Sequence, residues 1–284
     1  MSAAVEVDWL RVGSCRHLAC MAARGAGLQQ VDFPSYCALL RHPTRGWMLY
    51  DTGYAQHFID ATTTFPERLY GSLLPVRLPA EECLSAQLAA RGIRCEEITT
   101  VIVSHYHGDH VAGLCDFPQA RFIALRAESE HVLALRGKRW RATVQGRLPS
   151  MLPDDFPTRL EHADDCLQRS LPAWMAPFTD AFDLLGDGSL LGVALPGHSH
   201  GQLGLCIPDA SGGPLLLVAD ACYSLPACRE GRLPPAPTLW FSNSGVRAYR
   251  ETFAAVGELA RREPSLLILP SHCEVAAEAL YART

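Results

Sequence analysis

The sequence has no hydrophobic run long enough to cross a membrane. Its apolar stretches, such as residues 214–219 and 266–269, fall far short of the roughly 20 residues a spanning helix needs. They read as buried strands instead. No Cys-x-x-Cys pair occurs among the eleven cysteines, which removes a zinc-finger clip and a thioredoxin-type motif. Residues 1–8 lack a basic segment and carry two acids, so no secretory signal is read there. The expected setting is the cytoplasm, with reduced thiols that are mostly buried as small apolar groups. Basic residues are also in short supply. Lys and Arg number 25 against 30 Asp and Glu, a net charge of −5. A nucleic-acid partner would need the opposite balance to neutralise phosphates, so none is expected. No repeat or low-complexity tract appears.

What is present is a chain of globular composition, 48% hydrophobic and 19% charged. Its length suits one large single-core domain or two small ones. The expectation is a single domain over residues 1–284, interrupted at about 126–182 by a helical and loop insertion or cap, where Pro, Trp and Met fall at irregular spacing. Residues 37–41 and 46–50 read as strands of a hairpin around His42-Pro43-Thr44-Arg45. Residues 81–90 and 246–262 carry helical patterns, and 128–135 a further helix. The strand at 99–104 is rich in β-branched residues and delivers His105. Strands near 190–195, 215–219 and 266–269 likewise run into His198, Asp220 and His272. Four times, then, an apolar strand ends in a side chain able to bind metal, where a sheet can hold it rigid.

The densest cluster is His105-Tyr106-His107-Gly108-Asp109-His110. Imidazole nitrogen and carboxylate oxygen are the donors zinc and its neighbours take. In extended backbone residues 105 and 107 share a face, so both can meet one metal. Gly108 permits a bend that aims Asp109 and His110 at a second. Two ions about 3.5–4 Å apart can clamp a hydroxide between them.

This segment resembles the His-x-His-x-Asp-His motif of the metallo-β-lactamase superfamily. Asp51-Thr52-Gly53 resembles that family's early Asp-Thr-Gly turn, which supports the site without ligating metal. Pro196-Gly197-His198 resembles its Gly-His turn, Asp220 its bridging carboxylate and His272 its last ligand. The resemblance spans roughly residues 5–275. It implies an α/β (α+β) fold, an αββα sandwich of two mixed β-sheets flanked by helices. It implies two divalent ions per chain, with zinc expected and Mn, Fe or Co also suited to the donors. His105, His107 and His198 would hold one ion, and Asp109, His110 and His272 the other, with Asp220 bridging. His200 stands where the family usually has Pro. It is a competing donor, and the motif favours His198.

Within the superfamily, class B1 β-lactamases carry Cys at the place of Asp220, and redox di-iron members carry an acid at that of His107. Glyoxalase II-type thioesterases add a basic C-terminal domain, and ribonuclease Z-type enzymes need basic surfaces. The chain most resembles the N-acyl-homoserine lactone lactonases, the quorum-quenching branch. The segment from Phe33 to Leu40 and the run Asp220-Ala221-Cys222-Tyr223 carry that likeness. The branch implies a metal-bridging hydroxide opening a lactone ring, Asp109 as a proton shuttle and Tyr223 as a hydrogen-bond donor to the lactone. The alternative is another ester, thioester or phosphoester on the same scaffold. A substrate with an apolar portion would need a trough. Candidates are Phe65, Tyr70, Leu73 and Leu74, and in the insertion Trp140, Met151, Leu152, Phe156, Trp174, Met175 and Phe178. Oligomeric state is not legible.

Overall fold

The computed structural model describes residues 4–241 and 244–283. The chain divides into two compact units. One is Val7–His17 with Asp32–Glu161, and the other comprises residues 4–6, 18–31 and 162–283.

The first unit is built on a seven-stranded mixed sheet. Its strands are β1 (Glu6–Leu18), β2 (Gln30–His42), β3 (Gly46–Tyr50), β4 (Val76–Arg77), β5 (Ile98–Ile102), β6 (Arg121–Ala124) and β7 (Leu160–His162). They lie in the order β4-β1-β2-β3-β5-β6-β7. β2 and β3 form the expected hairpin, with Leu39 opposite Leu49, while β3, β5 and β6 run parallel. The turn closes when the His42 ring nitrogen Nδ1 accepts the amides of Thr44 and Arg45, each at 3.2 Å. The parallel strands read as near-continuous apolar runs because both their faces are buried. Leu39, Leu49, Val101 and Phe122 form the core with Phe58, Leu88, Tyr106 and Phe156 from outside the sheet.

The second unit holds a six-stranded mixed sheet of β8 (Leu167–Ser170), β9 (Asp180–Asp183), β10 (Leu191–Ala194), β11 (Leu203–Ile207), β12 (Leu215–Ala219) and β13 (Leu267–Pro270), in that spatial order. Only the β12–β13 pair is parallel. The helix Val246–Arg262 supplies the crossover, and its bounds match the sequence pattern. Tyr249, Thr252, Phe253, Val256, Leu259 and Ala260 recur at helical spacing and are buried.

Two expectations shift. Residues 81–90 are not one helix. A short 3-10 turn spans Ala80–Glu82, Cys83 is extended at ψ 132°, and the helix runs Leu84–Ala90. The Gln87 side chain donates to the carbonyls of both Glu82 and Arg11, which fixes the chain at that break. The stretch 126–182, expected as helix and loop, is helical at Arg126–Ala134, Arg139–Val144 and Phe156–Arg159. From Leu160 onward it supplies β7, β8 and β9 to the sheets. β8 is exposed at every residue, so it carries none of the alternation that marks a half-buried strand.

Candidate metal centre

In the first unit, three short segments converge on the cluster at 105–110. β3 is followed by Asp51, which takes a left-handed φ of 61° despite its side chain. The turn is kept tight by Gly53, where a Cβ would lie 2.3 Å from that of Val12. The Asp51 carboxylate is fully buried. Oδ1 accepts the Ser104 amide at 2.7 Å. Oδ2 accepts the Ser104 hydroxyl at 2.7 Å and His110 Nδ1 at 2.8 Å. An ionised carboxylate can only accept, so the His110 proton sits on Nδ1, and Nε2 keeps its lone pair for a ligand bond. Thr52 fixes the same segment through the backbone. Its amide and hydroxyl both donate to the His110 carbonyl, and Oγ1 accepts the Gly113 amide. The Asp-Thr-Gly turn thus holds the cluster from behind.

Ser104 passes the constraint on. Its hydroxyl donates to Asp51, so it accepts from His105 Nδ1 at 3.0 Å, which leaves Nε2 of His105 unprotonated. That nitrogen lies 3.0 Å from His107 Nδ1. Two ring nitrogens at this spacing are held by a shared proton or by a cation that takes both. His107 is also reached from outside. Arg147 Nη1 lies 3.3 Å from its Nε2, and Arg147 is itself held by Glu128 in a buried ion pair at 2.9 Å. After His107 the backbone turns into the helical segment Gly108–Val111. Gly108 is required there because a Cβ would meet the Phe58 ring at 2.5 Å. Asp109 is partly exposed, and its Oδ2 lies 3.7 Å from His110 Nε2.

In the second unit the donors follow three strands of one sheet, β10, β12 and β13. β10 leads to Pro196-Gly197-His198. Gly197 has φ 125°, and a Cβ would sit 2.1 Å from the Tyr249 amide nitrogen, so the start of the helix at Val246 packs directly on the turn. Thr252 Oγ1 donates to the Pro196 carbonyl at 2.7 Å, and the Gly245 amide to that of Gly197 at 3.0 Å. β12 ends in Ala219, held at φ 45°, and the next residue is Asp220. β13 is followed by Ser271, whose amide donates to the Ala219 carbonyl at 3.1 Å, and then His272. The result is a carboxylate between two imidazoles. His198 Nε2 lies 3.2 Å from Asp220 Oδ2, and His272 Nε2 lies 3.3 Å from each carboxylate oxygen. His198 and Asp220 are buried. The Tyr223 hydroxyl lies 3.3 Å from His198 Nδ1, and its ring is 5.7 Å from that of His272. His200 is exposed.

The donor chemistry fits divalent ions. Within each unit, imidazoles and carboxylates cluster with ring nitrogens and carboxylate oxygens turned toward each other. His105 and His107, Asp109 and His110, and His198 and Asp220 each present ligand atoms within 4.8 Å. Every residue singled out in the sequence as a ligand therefore lies in one of two clusters, and Tyr223 belongs to the second. Ser104, Glu128 and Arg147 were not singled out. Ser104 carried one signal, its place directly before the first His. Glu128 and Arg147 carried none, since their pairing joins the helix Arg126–Ala134 to a loop 19 residues on.

The apolar trough is corrected in part. Met151, Phe156 and Met175 are buried core residues, whereas Leu152, though mostly buried, lines a cavity of about 610 Å³ with Leu148 and Leu135. Phe65 and Trp140 are exposed and pack edge to face at 4.8 Å, and Leu73 is exposed.

The sequence model of the metallo-beta-lactamase superfamily matches residues 31–272. The chain belongs to that superfamily, as a metal-dependent hydrolase related to the N-acyl homoserine lactonases. Its fold is the superfamily's, two mixed sheets with flanking helices. It is similar to the N-acyl homoserine lactonase AttM of Azorhizobium caulinodans, at 30% identity over 209 residues, which cover 72% of this chain and 70% of that protein. Among solved structures, an N-acyl homoserine lactone hydrolase with the product N-hexanoyl-L-homoserine at its catalytic metal centre superposes with a TM-score of 0.71. The identity is 18%, over 98% of this chain and 97% of that one. AidC, a dizinc quorum-quenching lactonase in complex with a product, superposes at 0.62 with 17% identity, over 96% of this chain and 89% of that one.

Proposed function

We propose that this chain is a dinuclear metal hydrolase that opens lactone rings of the acyl-homoserine type. His105, His107 and His198 would hold one ion, Asp109, His110 and His272 the other, and Asp220 would bridge them. The observation that carries the reading is the Asp220 carboxylate, which contacts the Nε2 atoms of both His198 and His272. One carboxylate serving histidines of two ligand sets is what a bridging position requires. Bound there, zinc ions (Mn, Fe or Co suit the same donors) would make water a nucleophile near neutral pH and polarise the scissile carbonyl.

The remaining steps belong to the chain's own groups. Ligation of His198 through Nε2 leaves a proton on Nδ1, which donates to the Tyr223 hydroxyl 3.3 Å away. The Tyr223 O–H would then be a hydrogen-bond donor to the lactone oxygen as charge develops. Asp109, partly exposed beside His110, is placed to carry a proton to the leaving alkoxide. The named activity of AttM supports the substrate class. The setting would be the cytoplasm. All eleven cysteines are free thiols, and burial pushes that of Cys206 up to about 12. No helix among the described residues is long and apolar enough to cross a membrane.

A second reading, another ester, thioester or phosphoester, draws on the burial of Met151, Phe156 and Met175. That burial removes three of the candidate side chains from an acyl groove. Metal-loaded protein assayed on acyl-homoserine lactones, aryl esters and phosphoesters separates the two. Lactone turnover exceeding the others is expected. Efficient cleavage of another ester with no lactone turnover contradicts the first reading.

A further inference from the structure

Gln202 directly precedes β11 and is fully buried. Its backbone carbonyl accepts the Leu195 amide at 2.8 Å, which closes the turn of residues 196–201 that carries His198. Its side-chain Nε2 donates to the Val218 carbonyl at 3.2 Å. Val218 is followed by Ala219 at φ 45° and then by Asp220. One residue is therefore bonded through its main chain to the His198 turn and through its side chain to the strand that delivers Asp220.

The place where this happens matters. The β11–β12 register runs from Ile207↔Leu215 to Leu205↔Leu217, and Val218 lies beyond it, toward the site. The Gln202 amide spans the two strands past that last pair. It does so at a cost, because no donor among the described residues reaches its Oε1. A buried, half-satisfied amide is less stabilising than an apolar side chain of the same shape. Filling space therefore does not account for Gln202, whereas the bond to Val218 does.

We propose that Gln202 is a positioning residue that sets the spacing of His198 and Asp220 in the metal centre. Gln202 touches neither metal nor substrate and acts through the two strand ends. The inference rests on the reading of His198 and Asp220 as ligands. Outer groups that hold metal ligands in place are commonly worth about 10–100-fold in metal affinity.

The test is Gln202→Met, which keeps length and volume and removes the N–H donor. Zinc affinity is measured by competition with a chromophoric chelator, and the visible absorption of the cobalt-substituted protein is recorded. The thermal midpoint of metal-free protein serves as a stability control. The expected result is a loss of zinc affinity of about 10–100-fold for at least one ion, together with an altered cobalt spectrum. If Gln202→Met does not fold, Gln202→Asn, one methylene short of Val218, gives the same readout with the same expectation. A lowered midpoint with wild-type affinity and spectrum would overturn the proposal. Wild-type protein that binds no zinc would instead overturn the ligand assignment beneath it.

Discussion

Asp51 accepts three hydrogen bonds, from the Ser104 amide, the Ser104 hydroxyl and His110 Nδ1, and none of its capacity is turned toward a ligand position. Its work is to set the proton positions on His110 and, through Ser104, on His105. Tyr223 differs in standing beside the His198 ring, with its hydroxyl 3.3 Å from Nδ1. Tyr223→Phe should lower lactone turnover on the order of a hundredfold and leave metal content unchanged, as read by steady-state kinetics beside elemental analysis. Unchanged turnover would remove Tyr223 from the reaction. Tyr223 was singled out in the sequence by the resemblance of Asp220-Ala221-Cys222-Tyr223 to the lactonase branch. Gln202 was not, because a single amide between apolar residues gives no sign of whether it faces a backbone carbonyl or water.

At the scale of elements, legibility followed burial. β5, β12, β13 and the helix at Val246 follow their sequence patterns because apolar periodicity reports which faces are covered. β7 to β9 were missed because they are short, and β8 has no buried face at all. The preceding segment is tied down by charge. Arg139, at the start of the helix Arg139–Val144, donates to both carboxylate oxygens of Glu67 and to the Phe65 carbonyl. Hydrogen bonding from Arg139 holds the Glu67 carboxyl below its usual 4.5. A carboxyl with a lowered folded pKa stabilises above its unfolded value, and that contribution is lost as pH falls through the folded value. Glu67→Gln should therefore lower the thermal midpoint by about 2 °C at pH 7 and leave it unchanged near about pH 2. An equal shift at both would show that the charge is not the cause.

For the whole molecule, four of the candidate donors were legible because each follows an apolar strand, from His105 after β5 to His272 after β13, and His107, Asp109 and His110 because they crowd the turn after His105. What the sequence did not reveal is which apolar side chains stay at the surface. That depends on packing between distant turns, such as Phe65 on Trp140. The central claim is that seven donors hold two ions, and elemental analysis of protein expressed with ample metal tests it most directly. The account predicts two metal ions per chain, falling to about one in His272→Ala. Less than one ion per wild-type chain, or two retained without His272, would contradict it.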